Sequence, residues 1–572
     1  MRYYLLLLFA FFSCLVSAQQ TDVVDFKRAE ATLYVDLSKF EIRGTIVYTF
    51  DILKDTKYVS IDSKNLTIDY LKINEIENLI NLPNMKKFDG QILGNFKISK
   101  DNKLTLNYHI KPQKALYFTE KENSYQVWTQ GQGKYTSNWL PSIDDMNDKI
   151  EFDLSIIADE DYYVISNGKL LNIEENNGFK TWHYDMQHPM SSYLVALAIG
   201  KYNKKEITSK SGIPIQLYYY PEDSAKVEPT YRYTKQMFDF LEEEIGVPYP
   251  WQNYKQVPVK DFLYSGMENT SCTIFSDDFM IDAISFVDKN YVNVNAHELA
   301  HQWFGDLVTE TSGTHHWLQE GFATYYALLA ERDIFGNDYY YWQLYQYFKE
   351  LEAQEQAEQS TALLDPKSSS TTFYKKGAWV LHVLREKVGD KTFKTAVKRY
   401  LNKYAYGNVE TNDFISEVEK ASKMDLSGFV NDWLKNKNLL QKPMLESLYK
   451  NSLVRHVSLL DCGTKEELDN TCADFLKRNV PIKVKEKIIS KRPDLITTKL
   501  FKIKDLKFRQ AIALNMSEIP EDFQQDYEIL LKDQSYVTIE AALYNLWANF
   551  PRKRNEYLEQ TQSVFGFNDY NV

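Results

Sequence analysis

The stretch Asn295–Tyr326 reads NAHELAHQWFGDLVTETSGTHHWLQEGFATYY, and the rest of the chain reads as its support. Its centre is His297-Glu298-Leu299-Ala300-His301, an H-E-x-x-H pattern. Residues four apart share one face of a helix, so His297 and His301 can offer two imidazole nitrogens to one ion. Neutral imidazoles at about 2.0–2.1 Å suit Zn²⁺, and a catalytic zinc takes a third protein ligand while keeping one position open. Glu298 stands one step round the helix from His297. There its carboxylate reaches the attacking water rather than the metal, which is the place of a general base.

Spacing selects the third ligand. A metzincin needs Gly where Phe304 stands and His where Leu307 stands, so that class is excluded. Glu320 follows His301 after 18 intervening residues, inside WLQEGFA. Leu318, Phe322 and Tyr325/Tyr326 recur at helical spacing, which predicts a second helix packed beside the first with Glu320 on it. A lone H-E-x-x-H arises by chance in surface helices; the Glu320 block is what separates this chain from that case.

HELAHQWFGDLVT followed by WLQEGFATY resembles the zinc aminopeptidase family typified by aminopeptidase N and leukotriene hydrolase, a gluzincin family. Two more blocks carry the resemblance. Ser265-Gly266-Met267-Glu268-Asn269 is similar to the family's G-x-M-E-N exopeptidase motif, with Ser265 where Gly is usual. Phe373-Tyr374-Lys375-Lys376-Gly377-Ala378 is similar to its Y-x-K-G block. The resemblance implies zinc on His297, His301 and Glu320, one ion per chain. It implies Tyr374 as the group that stabilises the oxyanion, and Gly266, Met267, Glu268 and Asn269 as substrate-binding. Asp306 stands where the family more often has Asn.

The chain of 572 residues begins Met1-Arg2, runs uncharged from Leu5 to Val16 and continues Val16-Ser17-Ala18. A positive start, a short apolar run and small residues at −3 and −1 read as a cleavable secretory leader over residues 1–18, hence a secreted or periplasmic protein. Phe12-Ser13 ahead of Cys14 is a poor fit to a lipoprotein anchor. No later stretch approaches twenty apolar residues, so no membrane-spanning helix is expected. A net charge of −12 argues against nucleic acid as a partner. Cys462 and Cys472 are close enough in sequence to be bridged, leaving Cys272 single.

From about Ala31 to Ile207 the pattern is strand-like. Leu104–Ile110 and Phe152–Ile156 alternate apolar and polar, and Asn167-Gly168 and Asn177-Gly178 read as hairpin turns. This predicts an antiparallel β domain over residues 19–211. Within it, Gln130 and Gln132 of Val127-Trp128-Thr129-Gln130-Gly131-Gln132-Gly133 face one way if the strand stays extended, and the glycines permit close approach. By itself the segment reads as a Gly-rich strand edge. The resemblance makes Gln132 a contact of the substrate amine, where other members carry Glu.

Ile213–Tyr220 reads as a last strand and Val227–Ile245 as a helix ending near Gly246. A thermolysin-like, mostly α catalytic domain follows over residues 212–440. Asp288 is placed to cap the helix of His297 and His301, with Gly305 to end it. His315 and His316 read as structural or pocket-lining. Asn269-Thr270-Ser271 is a sequon expected to stay unmodified, since a glycan there blocks the site. Residues 441–572 carry short amphipathic helices at Pro481–Arg492, Leu506–Leu514, Pro520–Leu531, Ser535–Phe550 and Pro551–Gln560, a solenoid-like C-terminal α-helical domain. The fold class is therefore multidomain α+β.

These readings converge on a zinc metallopeptidase that removes N-terminal amino acids from peptides with a free N-terminus. The alternatives are a zinc endopeptidase, a lipid-epoxide hydrolase of the same superfamily, and a non-catalytic peptide-binding module. The last predicts loss of Glu298, Tyr374 or a ligand, and all are present.

Overall fold

The computed structural model describes residues 20–74, 90–121, 124–463 and 471–567. The leader expected over residues 1–18 lies outside them.

The alternating segments form strands as the pattern requires. Ser99–Ile110 buries every second residue from Leu104 onward, and Lys149–Asp159 does so along almost its whole length. They join a sheet ordered Lys169–Asn176, Phe179–Asp185, Lys149–Asp159, Val24–Asp36, Glu41–Ile52, Ser99–Ile110, Thr67–Ile73. The sheet is antiparallel except that Val24–Asp36 runs parallel to Lys149–Asp159. A smaller sheet carries Leu116–Lys121, Ser124–Thr129, Leu197–Gly200 and Tyr163–Ser166.

Asn177-Gly178 makes the expected two-residue hairpin, both residues at positive φ. Asn167-Gly168 does not. It joins Tyr163–Ser166 of the small sheet to Lys169–Asn176 of the large one, because its side chain and backbone are engaged by another part of the molecule. The strand expected through Gln132 also stops early. Ser124–Thr129 ends at Thr129, and the glycines on either side of Gln132 turn the chain instead of extending it.

Ile213–Tyr220 is not the last strand. Pro214–Tyr219 pairs in parallel with Tyr254–Val259, which pairs with Cys272–Ser276, and the short strand Gly266–Met267 closes the edge. Asn203–Thr208 belongs to this five-stranded sheet as well, so the sheet crosses residue 212. The helical run after Val227 breaks at Arg232–Tyr233 into Val227–Tyr231 and Thr234–Ile245, and Gly246 ends it in the left-handed conformation.

Val292–His301 and Trp317–Phe335 pack side by side. Every residue from Trp317 to Glu331 is buried, so over that span the second helix has no solvent face. Beyond residue 440, helices including Ile482–Lys491, Leu506–Asn515 and Tyr536–Asn549 enclose a core of their own around Ile488, Phe508, Ile512 and Tyr557. Cys462 and Cys472 form a disulfide there, and Cys272 is free and buried.

Asp288 does not cap the helix of His297. Its carboxylate accepts hydrogen bonds from Gln510 Nε2 (2.6 Å), Ser535 Oγ (2.8 Å) and the backbone N–H of Val537 (3.3 Å). It thus sits at the N-terminus of Tyr536–Asn549, where a carboxylate satisfies orphan donors and complements the helix dipole. The local cap is lost to a partner in the C-terminal domain.

Candidate metal centre and substrate cleft

The i, i+4 spacing acts as read. His297 Nε2 and His301 Nε2 lie 3.0 Å apart, and each is 3.3 Å from Glu320 Oε2. Three donors around a tetrahedral ion at zinc–ligand distances of about 2.0–2.1 Å are separated by about 3.3 Å, so the set matches zinc. Two further observations fit. His301 Nδ1 donates to the Phe304 carbonyl (2.9 Å), which leaves Nε2 with its lone pair directed inward. Glu320 is fully buried, yet its Oε2 accepts no hydrogen bond of good geometry. These three residues are the cluster of metal-ligating type found among the described residues.

Burial works against charge on Glu320, but His301 and His297 beside it draw its carboxyl well below the ordinary carboxylate range. Glu298 behaves oppositely. Burial pushes it well above that range, and the Glu268 and Glu320 charges add to the shift while His301 opposes it.

Glycines carry the close contacts that assemble the site. A Cβ on Gly266 would stand 2.4 Å from Glu298 Oε1. The strand Gly266–Met267 therefore lies directly on the side chain of Glu298. Gly321 and Gly377 meet backbone to backbone: a Cβ on Gly377 would be 2.7 Å from Gly321 Cα. Gly321 follows Glu320, and Gly377 begins the helix that continues the turn carrying Tyr374, so this crossing brings Tyr374 to the ligands.

Tyr374 lies in a π-helical turn, Thr371–Lys376, a local irregularity frequent at functional sites. Its ring stacks on His297, with centroids 5.5 Å apart and planes 3° apart. Burial raises its phenol above the ordinary value, with Glu320 and Glu268 adding to the shift, so it stays a proton-bearing donor. Lys376 anchors the turn by donating to the Asn436 carbonyl (2.7 Å), and burial lowers its ammonium to about 8.

Glu268 is 4% exposed, and its Oε1 has no hydrogen-bond partner. With Gln132, Gly266, Glu298, His297, His301, Glu320 and Tyr374 it lines a cavity of about 330 Å³. Gln130, by contrast, points away and donates to Met267 Sδ. Met267 is itself buried in the core. Asn269 is fully buried and donates to the Leu194 carbonyl (3.2 Å), which leaves no room for a glycan. A second cavity of about 300 Å³ is also lined by Gln132, together with Tyr193, Glu310, His316 and Gln319.

The two neighbouring histidines take different tasks. His315 pairs with Thr411 Oγ1 at 3.0 Å. His316 pairs with Glu310 at 3.0 Å and stands 3.6 Å from Glu320 Oε1. Burial opposes its charge, but the Glu310 hydrogen bond raises it to about 9. Asp306 is fully buried, and burial together with the Glu268 charge pushes it well up, which favours the neutral acid where the family more often has Asn.

Pattern reading missed Gln302. Its Oε1 accepts from the Ser271 N–H (2.8 Å) and its Nε2 donates to the Glu268 carbonyl (3.3 Å). It stands next to His301, and that adjacency was the one available signal.

Residues 27–194 match the Peptidase M1 N-terminal domain and residues 230–433 the Peptidase family M1 domain. The chain is 29% identical over 399 residues to the leucyl aminopeptidase of Saccharolobus solfataricus, covering 66% of this chain and 50% of that protein. It is 24% identical over 445 residues to aminopeptidase M1 of Arabidopsis thaliana, covering 72% and 50%. The chain thus spans about half the length of these relatives. Its fold is similar to that of the M1 zinc metallopeptidase from Deinococcus radiodurans, with a TM-score of 0.62 at 18% identity over 73% of this chain and 94% of that one. A mutant of the same enzyme is known bound to a Tyr-Ser-Ala substrate (TM-score 0.61).

Proposed function

We propose that this chain, which belongs to peptidase family M1 through the two domains matched above, is a zinc aminopeptidase that removes N-terminal amino acids from peptides. One observation carries the reading: a buried carboxylate oxygen, Glu268 Oε1, stands without a partner in the cavity where His297, His301 and Glu320 converge. A buried unpaired carboxylate is costly unless a cation meets it. A substrate α-ammonium group is such a cation. Gln132, on the same cavity wall, adds a neutral amide contact.

His297, His301 and Glu320 would hold the zinc, which supplies Lewis acidity towards water and carbonyl oxygen. The remaining work falls to the protein's own groups. Glu298 takes the proton of the attacking water and returns it to the leaving amine. Tyr374 donates a hydrogen bond to the carbonyl oxygen as charge develops there, an interaction strongest in the transition state. Glu268 and Gln132 fix the substrate's first residue so that only the first peptide bond reaches Glu298 and Tyr374.

An endopeptidase would bind a neutral peptide at this point and leave Glu268 unmatched. The Cys462–Cys472 disulfide supports an oxidising compartment, in line with the leader-like sequence of residues 1–18. Among the described residues no helix is long and apolar enough to cross a membrane.

The reading is tested with one peptide in free and N-acetylated forms, assayed on wild type and Glu268→Ala. The free form should be cleaved far better, and Glu268→Ala should lower its kcat/KM by about 30–200-fold with zinc retained. Equal cleavage of both forms by the wild type would sink the aminopeptidase reading.

A further inference from the structure

We infer that Asn167, in the N-terminal β domain, is a positioning residue for amine recognition, acting by holding the loop that carries Glu268. The inference rests on the role proposed for Glu268.

The chain from Glu268 to Ser271 leaves the strand Gly266–Met267 and enters Cys272–Ser276. All four residues are buried, and Ser271 is held at φ +61, a conformation that only a well-tied loop keeps. Two groups tie it. From the helix of His301, Gln302 accepts from the Ser271 N–H and donates to the Glu268 carbonyl. From the opposite domain comes Asn167. Its Nδ2 donates to the Thr270 carbonyl (2.7 Å) and to the Leu194 carbonyl (3.0 Å), and its Oδ1 accepts from the Ala196 N–H (2.6 Å). Leu194's carbonyl also receives Asn269 Nδ2 (3.2 Å), so one carbonyl of the β domain gathers Asn167 and the Glu268 loop.

The neighbour of Asn167 makes the clamp rigid. Gly168 donates its N–H to Ser271 Oγ (2.8 Å), and its carbonyl accepts from Asn253 Nδ2 (2.9 Å) and from the buried Lys255 ammonium. Gly168 has φ +72, and a Cβ there would fall 2.2 Å from the Asp185 carbonyl oxygen, so only glycine fits. Asn167 is 2% exposed with donors and acceptor all engaged. It touches no substrate and none of the metal-ligating residues. It reaches Glu268 through Thr270, two residues away, and through the Leu194 carbonyl that it shares with Asn269.

The position of Glu268 matters because the substrate amine stands at a fixed covalent distance from the scissile carbonyl. Displacing the carboxylate stretches its charge-assisted bond to the amine, which weakens ground-state and transition-state binding alike and so is read in KM. A loop that loses the Asn167–Thr270 bond but keeps its other ties should relax only in part.

The test is a double-mutant cycle. kcat and KM for L-alanine 4-nitroanilide are measured for wild type, Asn167→Ala, Glu268→Ala and the double variant, each with its zinc content. Asn167→Ala should raise KM about 10-fold with kcat within about 3-fold, and in the Glu268→Ala background it should cost less than about 2-fold, because residues acting as one unit are non-additive. Zinc content should stay at the wild-type level. Asn167→Asp keeps the acceptor for Ala196 but no donor for Thr270, and should not restore KM. Equal losses in both backgrounds, or recovery with Asp, would overturn the proposal and leave only a structural role. If Asn167→Ala does not fold, Ser271→Ala removes the acceptor of the Gly168 N–H alone and enters the same cycle, with a smaller loss expected and additivity again overturning the inference. Should Glu268→Ala leave kcat/KM unchanged on its own, the amine reading fails and this proposal with it; additivity overturns this proposal alone.

Discussion

Replacing Gly266 with alanine adds a single methyl group where the strand Gly266–Met267 meets Glu298, the proposed general base. The new Cβ would stand 2.4 Å from Glu298 Oε1, 2.6 Å from Cδ and 2.7 Å from Cγ, whereas ordinary contact begins at 3.4 Å. Glu298 must therefore retreat by about 1 Å. The clashing atoms belong to the outer part of a flexible side chain, not to backbone, so folding absorbs the change cheaply: the cost of a new rotamer is about 0.5–1.5 kcal/mol. Catalysis does not absorb it. A base moved by about 1 Å from the water it deprotonates loses about 10² in kcat, or about 2.7 kcal/mol. The assay is kcat on an unblocked aminoacyl 4-nitroanilide, with zinc content and thermal midpoint measured on the same preparation. The expected pattern is zinc and midpoint close to wild type beside a kcat lowered about 100-fold. A kcat within about 3-fold of wild type would refute the reasoning, since Glu298 would then act from a place the strand does not constrain.

Other perturbations read other parts of the molecule. Tyr374→Phe should lower kcat by about 10²–10³ with KM little changed, because it removes a donor used mainly in the transition state; near-native kcat would assign the oxyanion contact elsewhere. Chelation should abolish turnover and added zinc restore it, while Glu320→Ala should bind far less zinc by elemental analysis than the wild type's one ion. Glu331 is 3% exposed, and burial raises its carboxyl to about 7 from an ordinary 4.5, with Asn293 and Tyr339 donating to it and opposing the shift. The folded state therefore binds more protons than the unfolded state between about pH 4.5 and 7. Stability is highest below that window and falls as pH rises through it. Glu331→Gln should thus gain on wild type by about 2–3 kcal/mol between pH 5 and pH 8 in paired urea unfolding curves; a pH-independent difference would contradict it.

Much of the site was legible because its rules are local. Four residues make one helical turn, so His297 and His301 had to share a face whatever surrounds them. Glu320 was legible through the helical rhythm of Leu318, Phe322 and Tyr326, all now buried. The β domain was legible in alternating burial, as at Leu104–Ile110. Where a local rule had a distant competitor, it failed. Asp288 had the composition of a helix cap and instead caps a helix of the C-terminal domain. Asn167-Gly168 had the composition of a hairpin and instead grips the Glu268 loop. The strand expected to run through Gln132 gave way to a turn at its glycines.

By itself the sequence determined the chemistry: which side chains could hold an ion, which could move a proton, and in what order along the chain they come. Only the tertiary structure decided their mutual placement. The Gly321–Gly377 crossing sets Tyr374 beside His297, the Gly266 strand presses on Glu298, and Gln302 and Asn167 tie one loop from two domains. Helical and strand periodicities reach only a few residues along the chain. Contacts between residues a hundred positions apart are chosen by packing and by the need to pair every buried polar group, and neither leaves a periodic mark in the sequence.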